Sequence, residues 1–224
     1  MTMLSSLDLI RRVPLFSMLT DAQAASVAEA VVKRRFKRGE NIVEQGKKTN
    51  ALFILLNGRA RVVTADGRGR EVILATLHSG DHIGEMSLID NEPHSATVRA
   101  EVQTDLLMLG RLEFARCLPE NSSMAYAVMR GLVQRLRQAD RKIESLALMD
   151  VYGRVARSLL EAASETNEGE MVIRDRVSRQ DIAKMVGASR EMVSRVMKDL
   201  EERGFIKTQE NGLILVQERL IKLE

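Results

Sequence analysis

Between Arg35 and Gly110 the apolar residues arrive in short runs cut by glycine-bearing turns. ALFILLNG, RARVVTADG, REVILATLHSG, HSATVRAEV and TDLLMLG have strand length and are rich in β-branched and aliphatic residues. Their regular turn spacing predicts an antiparallel sandwich or jelly roll. On both sides of this region the period changes. From Leu4 to Lys33 the pattern predicts short helices. LTDAQAASVAEAVV opens on threonine and aspartate and is alanine-rich, as a helix start should be. From Arg111 to Met149 the pattern is helical again. Ala125, Met129, Leu132, Leu136, Ala139, Ile143 and Leu146 recur in alternating steps of four and three. That is a heptad seam, and a strict 3.5-residue period suits a partner helix better than a curved core. Arg130, Arg135, Arg137, Arg141, Lys142 and Glu144 then fall on its solvated sides.

After Asp150 the chain reads as mostly helical to Gly204, with an interruption at SETNEGEMVIRD. The pattern predicts an α+β chain in three parts: residues 1–120, 121–149 and 150–224. In the last part, VSRQDIAKMVGASREMVSRVMKDLEERG holds two helix starts and a tight turn. Ser178 followed by Asp181 resembles a capping box. Ile182, Met185 and Val186 give the first helix its apolar side, and Ala183 permits close helix contact. Gly187 is placed to make the turn, and Ser189 can cap the second helix. There Val193, Val196, Met197 and Leu200 form one stripe. Asn211–Gly212, between two β-rich runs, is a strong hairpin signal.

These elements predict a helix-turn-helix followed by a wing. The face opposite the stripe carries Arg190, Glu191, Ser194 and Arg195. Arginine can donate two hydrogen bonds to guanine O6 and N7, and glutamate can accept from cytosine N4. The face therefore has the groups needed to read G·C pairs in a major groove. Ser178, Arg179 and Ser189 stand at helix starts, where phosphate contacts form. Composition narrows the mode of binding. The formal net charge is only +3, and residues 150–224 hold 13 Lys and Arg against 14 Asp and Glu. Affinity for double-stranded DNA must come from a local basic face.

With these residues in view, the chain resembles the bacterial cyclic-AMP receptor protein and fumarate-nitrate regulator family. The resemblance spans nearly all of the sequence. Its most specific stretches are LALMDVYGRVARSLLEAA, VSRQDIAKMVGASREMVSRVMKDLEERGFI, GEMSLI and HSATVRA. It implies a homodimer with an N-terminal β-roll sensor, a long dimerisation helix and a C-terminal winged helix-turn-helix. It also implies a transcription regulator that contacts RNA polymerase at promoters. The recognition helix is similar to the cyclic-AMP receptor branch, with Arg190, Glu191 and Arg195 at its reading positions. The implied target is a TGTGA-type half-site repeated as an inverted palindrome. Ser194 departs from the small residue usual there.

The segment Gly84–Val98 resembles the family's phosphate-binding cassette, which implies an effector pocket containing Gly84, Glu85, Met86, Ser87, His94 and Ser95, completed on the dimerisation helix by Ala139 and Asp140. Gly84 lets the backbone approach a ligand, Glu85 can accept from a ribose hydroxyl, and Ser95 can donate to a phosphate. Cyclic-AMP binders carry an arginine where this chain has His94, a shorter donor that is mostly neutral at pH 7. They also use a threonine–serine pair at the positions of Ala139 and Asp140. These departures count against cyclic AMP and leave a cyclic nucleotide, a cyclic dinucleotide or a ligand-independent regulator open.

Other readings are weaker. A lone cysteine, Cys117, excludes a cysteine-ligated iron–sulfur cluster and is expected as a small buried residue. His78 and His82 flank a glycine–aspartate turn, and the three histidines lack ligand spacing. That disfavours a jelly-roll metalloenzyme, and neither an enzyme nor a metal site is expected. QGKKTN lacks the rest of a P-loop. No run of about 18 apolar residues predicts a membrane span, and the start lacks a secretory pattern. A cytoplasmic location is expected.

Overall fold

The computed structural model describes residues 6–13, 16, 19–67, 69–120, 122–166, 170–174, 177–209, 213–217 and 220. Helices α1 (Ser6–Arg12) and α2 (Asp21–Ala30) precede eight strands. These are β1 (Val32–Phe36), β2 (Asn41–Val43), β3 (Ala51–Asn57), β4 (Ala60–Ala65), β5 (Glu71–Leu77), β6 (His82–Ile83), β7 (Thr97–Ala100) and β8 (Thr104–Gly110). The short helix α3 (Glu85–Asp90) lies between β6 and β7. Helices α4 (Arg111–Glu120) and α5 (Ser122–Leu148) follow β8. The remainder forms α6 (Val151–Ala162), β9 (Ser164–Glu165), β10 (Met171–Ile173), α7 (Arg179–Val186), α8 (Arg190–Glu202), β11 (Ile206–Thr208) and β12 (Ile214–Val216). The chain divides into two compact units, Met1–Leu136 and Arg137–Glu224, so the division falls within α5.

In the first unit two antiparallel four-stranded sheets, ordered β1-β8-β3-β6 and β2-β7-β4-β5, make the expected sandwich. Its central strand β3 has two dry faces. Phe53 and Leu55 join Ile42, Leu77, Val98 and Leu106 in one core cluster. Leu52 and Ile54 point the other way and pack with Ile10, Val27, Phe114 and Val128 from the helices. In register with β8, Leu52 faces Leu109 and Ile54 faces Leu107. Burial on both faces explains why ALFILL is continuously apolar rather than alternating. Helix α2 starts on a complete capping box. The Thr20 hydroxyl accepts from the Gln23 amide at 3.3 Å, and the Gln23 side chain accepts from the Thr20 amide at 2.9 Å, which satisfies two helix-end donors.

Two expectations change here. Val32 and Lys33 are strand, not helix: β1 pairs with β8 from Val32↔Met108 to Phe36↔Thr104. Four of its five residues are exposed, so the strand has no apolar alternation to signal it. On α5, Leu132 leans on the unit's own core beside buried Val128. Met129, Leu136, Ile143 and Leu146 of the heptad seam are exposed, as are Tyr126 and Val133, which the seam had left out. Ala125 is half-buried and Ala139 exposed.

The second unit is a three-helix cluster on a four-stranded sheet ordered β11-β12-β10-β9. Val155, Leu159, Ile182, Val186, Val193, Met197, Leu200, Ile206 and Val216 meet in one core. The expected stripe of α8 is buried at Val193, Met197 and Leu200. The interruption after α6 is not a loop alone, since it supplies β9 and β10. The hairpin β11–β12 is closed by Gln209 N donating to Leu213 O at 2.8 Å. The Asn211–Gly212 turn and the Cys117 side chain lie outside the described residues.

Candidate DNA-reading face and effector cavity

The sequence of α7 and α8 sets their entry angles by local hydrogen bonds. The Ser178 hydroxyl accepts from the Asp181 amide at 3.1 Å. The Ser189 hydroxyl accepts from the Met192 amide at 3.2 Å. Each hydroxyl keeps its own proton for another acceptor. Gly187 ends α7 in the left-handed conformation, with φ +66°, which a side chain would strain. Arg190, Glu191 and Arg195 emerge exposed from the first turns of α8. Arg195 and Glu191 pair at 2.9 Å while their side chains stay 72% and 80% exposed. The half-buried Ser194 donates its hydroxyl to Arg190 O at 2.9 Å, so only its oxygen lone pairs remain for a base. Arg179 is exposed.

Two residues outside the expected set brace this helix pair. Arg154 of α6 donates from Nε to Val186 O at 3.0 Å and from Nη1 to Met149 O at 2.9 Å. It thereby neutralises the carbonyl end of α7. The Arg203 guanidinium at the end of α8 sits 6.0 Å from the Tyr152 ring centroid and pairs with Asp199 at 3.0 Å.

In the first unit, β6, α3 and the segment after it line a half-open cavity of about 210 Å³. It is lined by Gly84, Glu85, Met86, Ser87, His94 and Ser95, together with His82, Asp90, Glu92, Arg135 and apolar residues such as Val43, Val62 and Leu77. Six of the expected pocket residues therefore share one cavity. Ala139 and Asp140 are exposed positions of α5 in the second unit. Gly84 has φ +94°, and a Cβ there would stand 2.8 Å from the Ala51 carbonyl oxygen. The site needs glycine for both reasons. Met86 is exposed, while the buried Ser87 donates its hydroxyl to Glu92 O at 2.6 Å and ties the segment back on α3.

Two of the cavity's charged residues, Glu85 and Arg135, are bound to each other. The Glu85 side chain is 1% exposed and paired with Arg135, which also donates to the His82 carbonyl. Burial pushes the Glu85 carboxyl up, against the pull of Arg135. Its second oxygen, Oε2, has no hydrogen-bond partner among the described residues. His82 is buried, and desolvation with the Arg135 charge lowers it to about 4. His94 is buried, its Nε2 sits 2.7 Å from the Thr49 hydroxyl, and burial lowers its pKa. At pH 7 both imidazoles are neutral.

Arg135 corrects the sequence reading, which put it on a solvated side, whereas His82 flanks its glycine–aspartate turn as read and is buried at the cavity. A signal for Arg135 existed. Gly131 stands one helical turn before it, and glycine inside a helix costs about 1 kcal/mol. A Cβ at Gly131 would lie 2.6 Å from His82 Cε1, so glycine is what lets α5 lie over the imidazole. Residues at i and i+4 share a face, so Arg135 follows Gly131 toward the cavity.

A winged helix-turn-helix with an exposed arginine-bearing face, in one chain with a cavity-bearing β-sandwich, is the architecture of a DNA-binding transcription regulator. Comparison with known proteins agrees. Residues 33–121 match the cyclic nucleotide-binding domain, and residues 153–223 match the Crp-like helix-turn-helix domain. The cAMP-activated global transcriptional regulator Vfr of Pseudomonas aeruginosa is 34% identical over 191 residues, 82% of this chain and 88% of Vfr. The cAMP-activated regulator CRP of Salmonella typhimurium is 30% identical over 186 residues, 81% of this chain and 88% of CRP. The solved structure of the c-di-GMP responsive global regulator CLP of Xanthomonas campestris shares the fold. Its TM-score is 0.78 at 24% identity, covering 88% of this chain and 100% of that one. The chain belongs to the Crp/Fnr family of transcription regulators. These relatives are regulators rather than enzymes. Among the described residues, no helix is long and apolar enough to cross a membrane.

Proposed function

We propose that the protein is a homodimeric regulator that reads a TGTGA-like inverted repeat and meets RNA polymerase there, gated by a ligand other than cyclic AMP in the β-roll cavity. The observation that carries this reading is the exposed set Arg190, Glu191 and Arg195 on the first turns of a serine-capped helix. Such a set offers bidentate donors to guanine and an acceptor to cytosine. The exposed apolar line Met129, Val133, Leu136 and Ile143 on α5 supports pairing with a second copy. Apolar residues repeating at this period gain by burial in a coiled coil. Two recognition helices would then meet successive major grooves about one DNA turn apart. Ser178, Arg179 and Ser189 would hold phosphates. The effector would act through α5 and the segment Leu148–Tyr152. A cyclic nucleotide of another kind or a cyclic dinucleotide is the effector that family membership first suggests.

A second reading, a regulator whose cavity no longer gates it, is favoured by the engagement of Arg135 with Glu85 and of His94 with Thr49. Fluorescence anisotropy with a TGTGA-type palindromic duplex and a scrambled duplex, at one salt concentration, tests both readings. Specific binding that does not require cyclic AMP is expected. Equal affinity for the two duplexes under all ligand conditions would remove the base-reading assignment. Specific binding only with cyclic AMP would remove the exclusion of that ligand.

A further inference from the structure

We propose that, in place of the cyclic nucleotide or dinucleotide that family membership first suggests, the β-roll cavity selects an uncharged, nucleoside-sized hydrogen-bond donor and rejects phosphate anions; this rests on reading the cavity as the effector site. Three carboxylates, the buried Glu85 and the solvent-exposed Asp90 and Glu92, line it against one guanidinium, that of Arg135. A phosphate entering the cavity meets net negative charge.

The single guanidinium is already in use. Arg135 donates to Glu85 and to the His82 carbonyl. Turning it toward a phosphate would leave a carboxylate with 1% side-chain exposure without its counter-charge, which a low-dielectric site strongly resists. The imidazoles supply no replacement. His94 spends Nε2 on the Thr49 hydroxyl. Burial keeps His94 and His82 neutral near pH 7.

What the cavity offers instead is an acceptor. Glu85 Oε2 is buried without a partner among the described residues. An unpaired buried carboxylate oxygen is costly, so a hydroxyl or amine donor on the ligand is rewarded. The remaining wall is largely apolar, including Val43, Leu77 and Val98, and suits one flat ring system. At about 210 Å³, the space lies below the roughly 300–1,000 Å³ of common ligand sites. That is small for a cyclic dinucleotide.

The test is isothermal titration calorimetry of the full chain with adenosine and with 3′,5′-cyclic AMP, in which a phosphodiester takes the place of the 3′- and 5′-hydroxyls. Adenosine is expected to bind at least tenfold more tightly. The variant His94→Arg, which supplies a bidentate phosphate fork, is expected to shift the ratio at least tenfold toward cyclic AMP. The wild-type comparison stands without the variant. Wild-type affinity for cyclic AMP equal to or above that for adenosine overturns the inference and leaves the cavity as an effector site. No binding of either ligand to the wild type also overturns it. If His94→Arg then takes cyclic AMP, the effector-site reading survives, and if it does not, both fall.

Discussion

Two of the chain's arginine–glutamate pairs, one from each unit, differ in character. Glu85 and Arg135 meet with side chains 1% and 35% exposed. Glu191 and Arg195 meet with side chains 80% and 72% exposed. The geometry is similar, but the surroundings decide what each pair can do. In the β-roll Glu85 is desolvated and Arg135 partly so, and removing the arginine leaves a buried charge without its partner. On α8 water competes for both, so either side chain can exchange its partner for a base edge at little cost. The first unit holds Glu85 and Arg135 to each other, and the second leaves Glu191 and Arg195 in water.

The largest effect is expected where the buried pair is broken. Arg135→Met leaves Glu85 buried without its cation and should destabilise the first unit by about 3 kcal/mol, the low end for a buried pair because Arg135 is partly exposed. Glu85→Gln combined with Arg135→Met should recover most of the loss. Denaturant unfolding of the two variants checks this. Equal stability of the single and double variants would mean that the buried pair matters no more than the exposed one, and the contrast would fail.

Acid should separate the two units next. The folded-state pKa of His82 is about 4 against 6.5 in the unfolded chain. Above pH 6.5 neither state holds the proton, and the contribution of the neutral buried ring is complete. Between 6.5 and 4 the unfolded chain takes a proton that the folded chain refuses, so stability falls as pH falls. The loss from pH 7 to pH 5 should be about 2 kcal/mol, and the lowered His94 acts in the same direction. All three histidines, His78, His82 and His94, lie before residue 137. Hydrogen-exchange protection factors at the two pH values should therefore drop in β3, β6 and β8 and hold in α7 and α8. His82→Phe should flatten the response. An equal drop in both units would sink the assignment to buried imidazole.

The same contrast explains what could be read in the sequence. Reader elements are local. Ser178, Gly187, Ser189 and the stripe Val193, Met197 and Leu200 fall within one short stretch, and each signals itself by position relative to its neighbours. The sandwich strands β3, β4, β5, β7 and β8 were equally legible, because burial leaves apolar runs of strand length. The edge strand β1 was not, since its residues are mostly charged and its pairing partner β8 lies about seventy residues away. The cavity's charge network was hidden for the same reason. Arg135 and Glu85 are fifty residues apart, and no local period marks a pair formed by the fold. Gly131 carried a trace of it, as a helix glycine with no turn to make.

The smallest effect on stability is expected at the exposed pair, and there the comparison can be sharpened most. Glu191→Ala removes an i,i+4 ion pair in water and should cost the folded chain only about 0.3–0.5 kcal/mol. Arg195→Ala should cost as little by the same unfolding measurement. On the proposed TGTGA-type duplex, however, Arg195→Ala should lose about 1–3 kcal/mol and relax the preference at one base pair, while binding to scrambled DNA changes little. A large loss of stability with no change in preference would make Arg195 a structural residue like Arg135. A small loss of stability with a marked change in preference identifies a side chain that the fold leaves free for DNA.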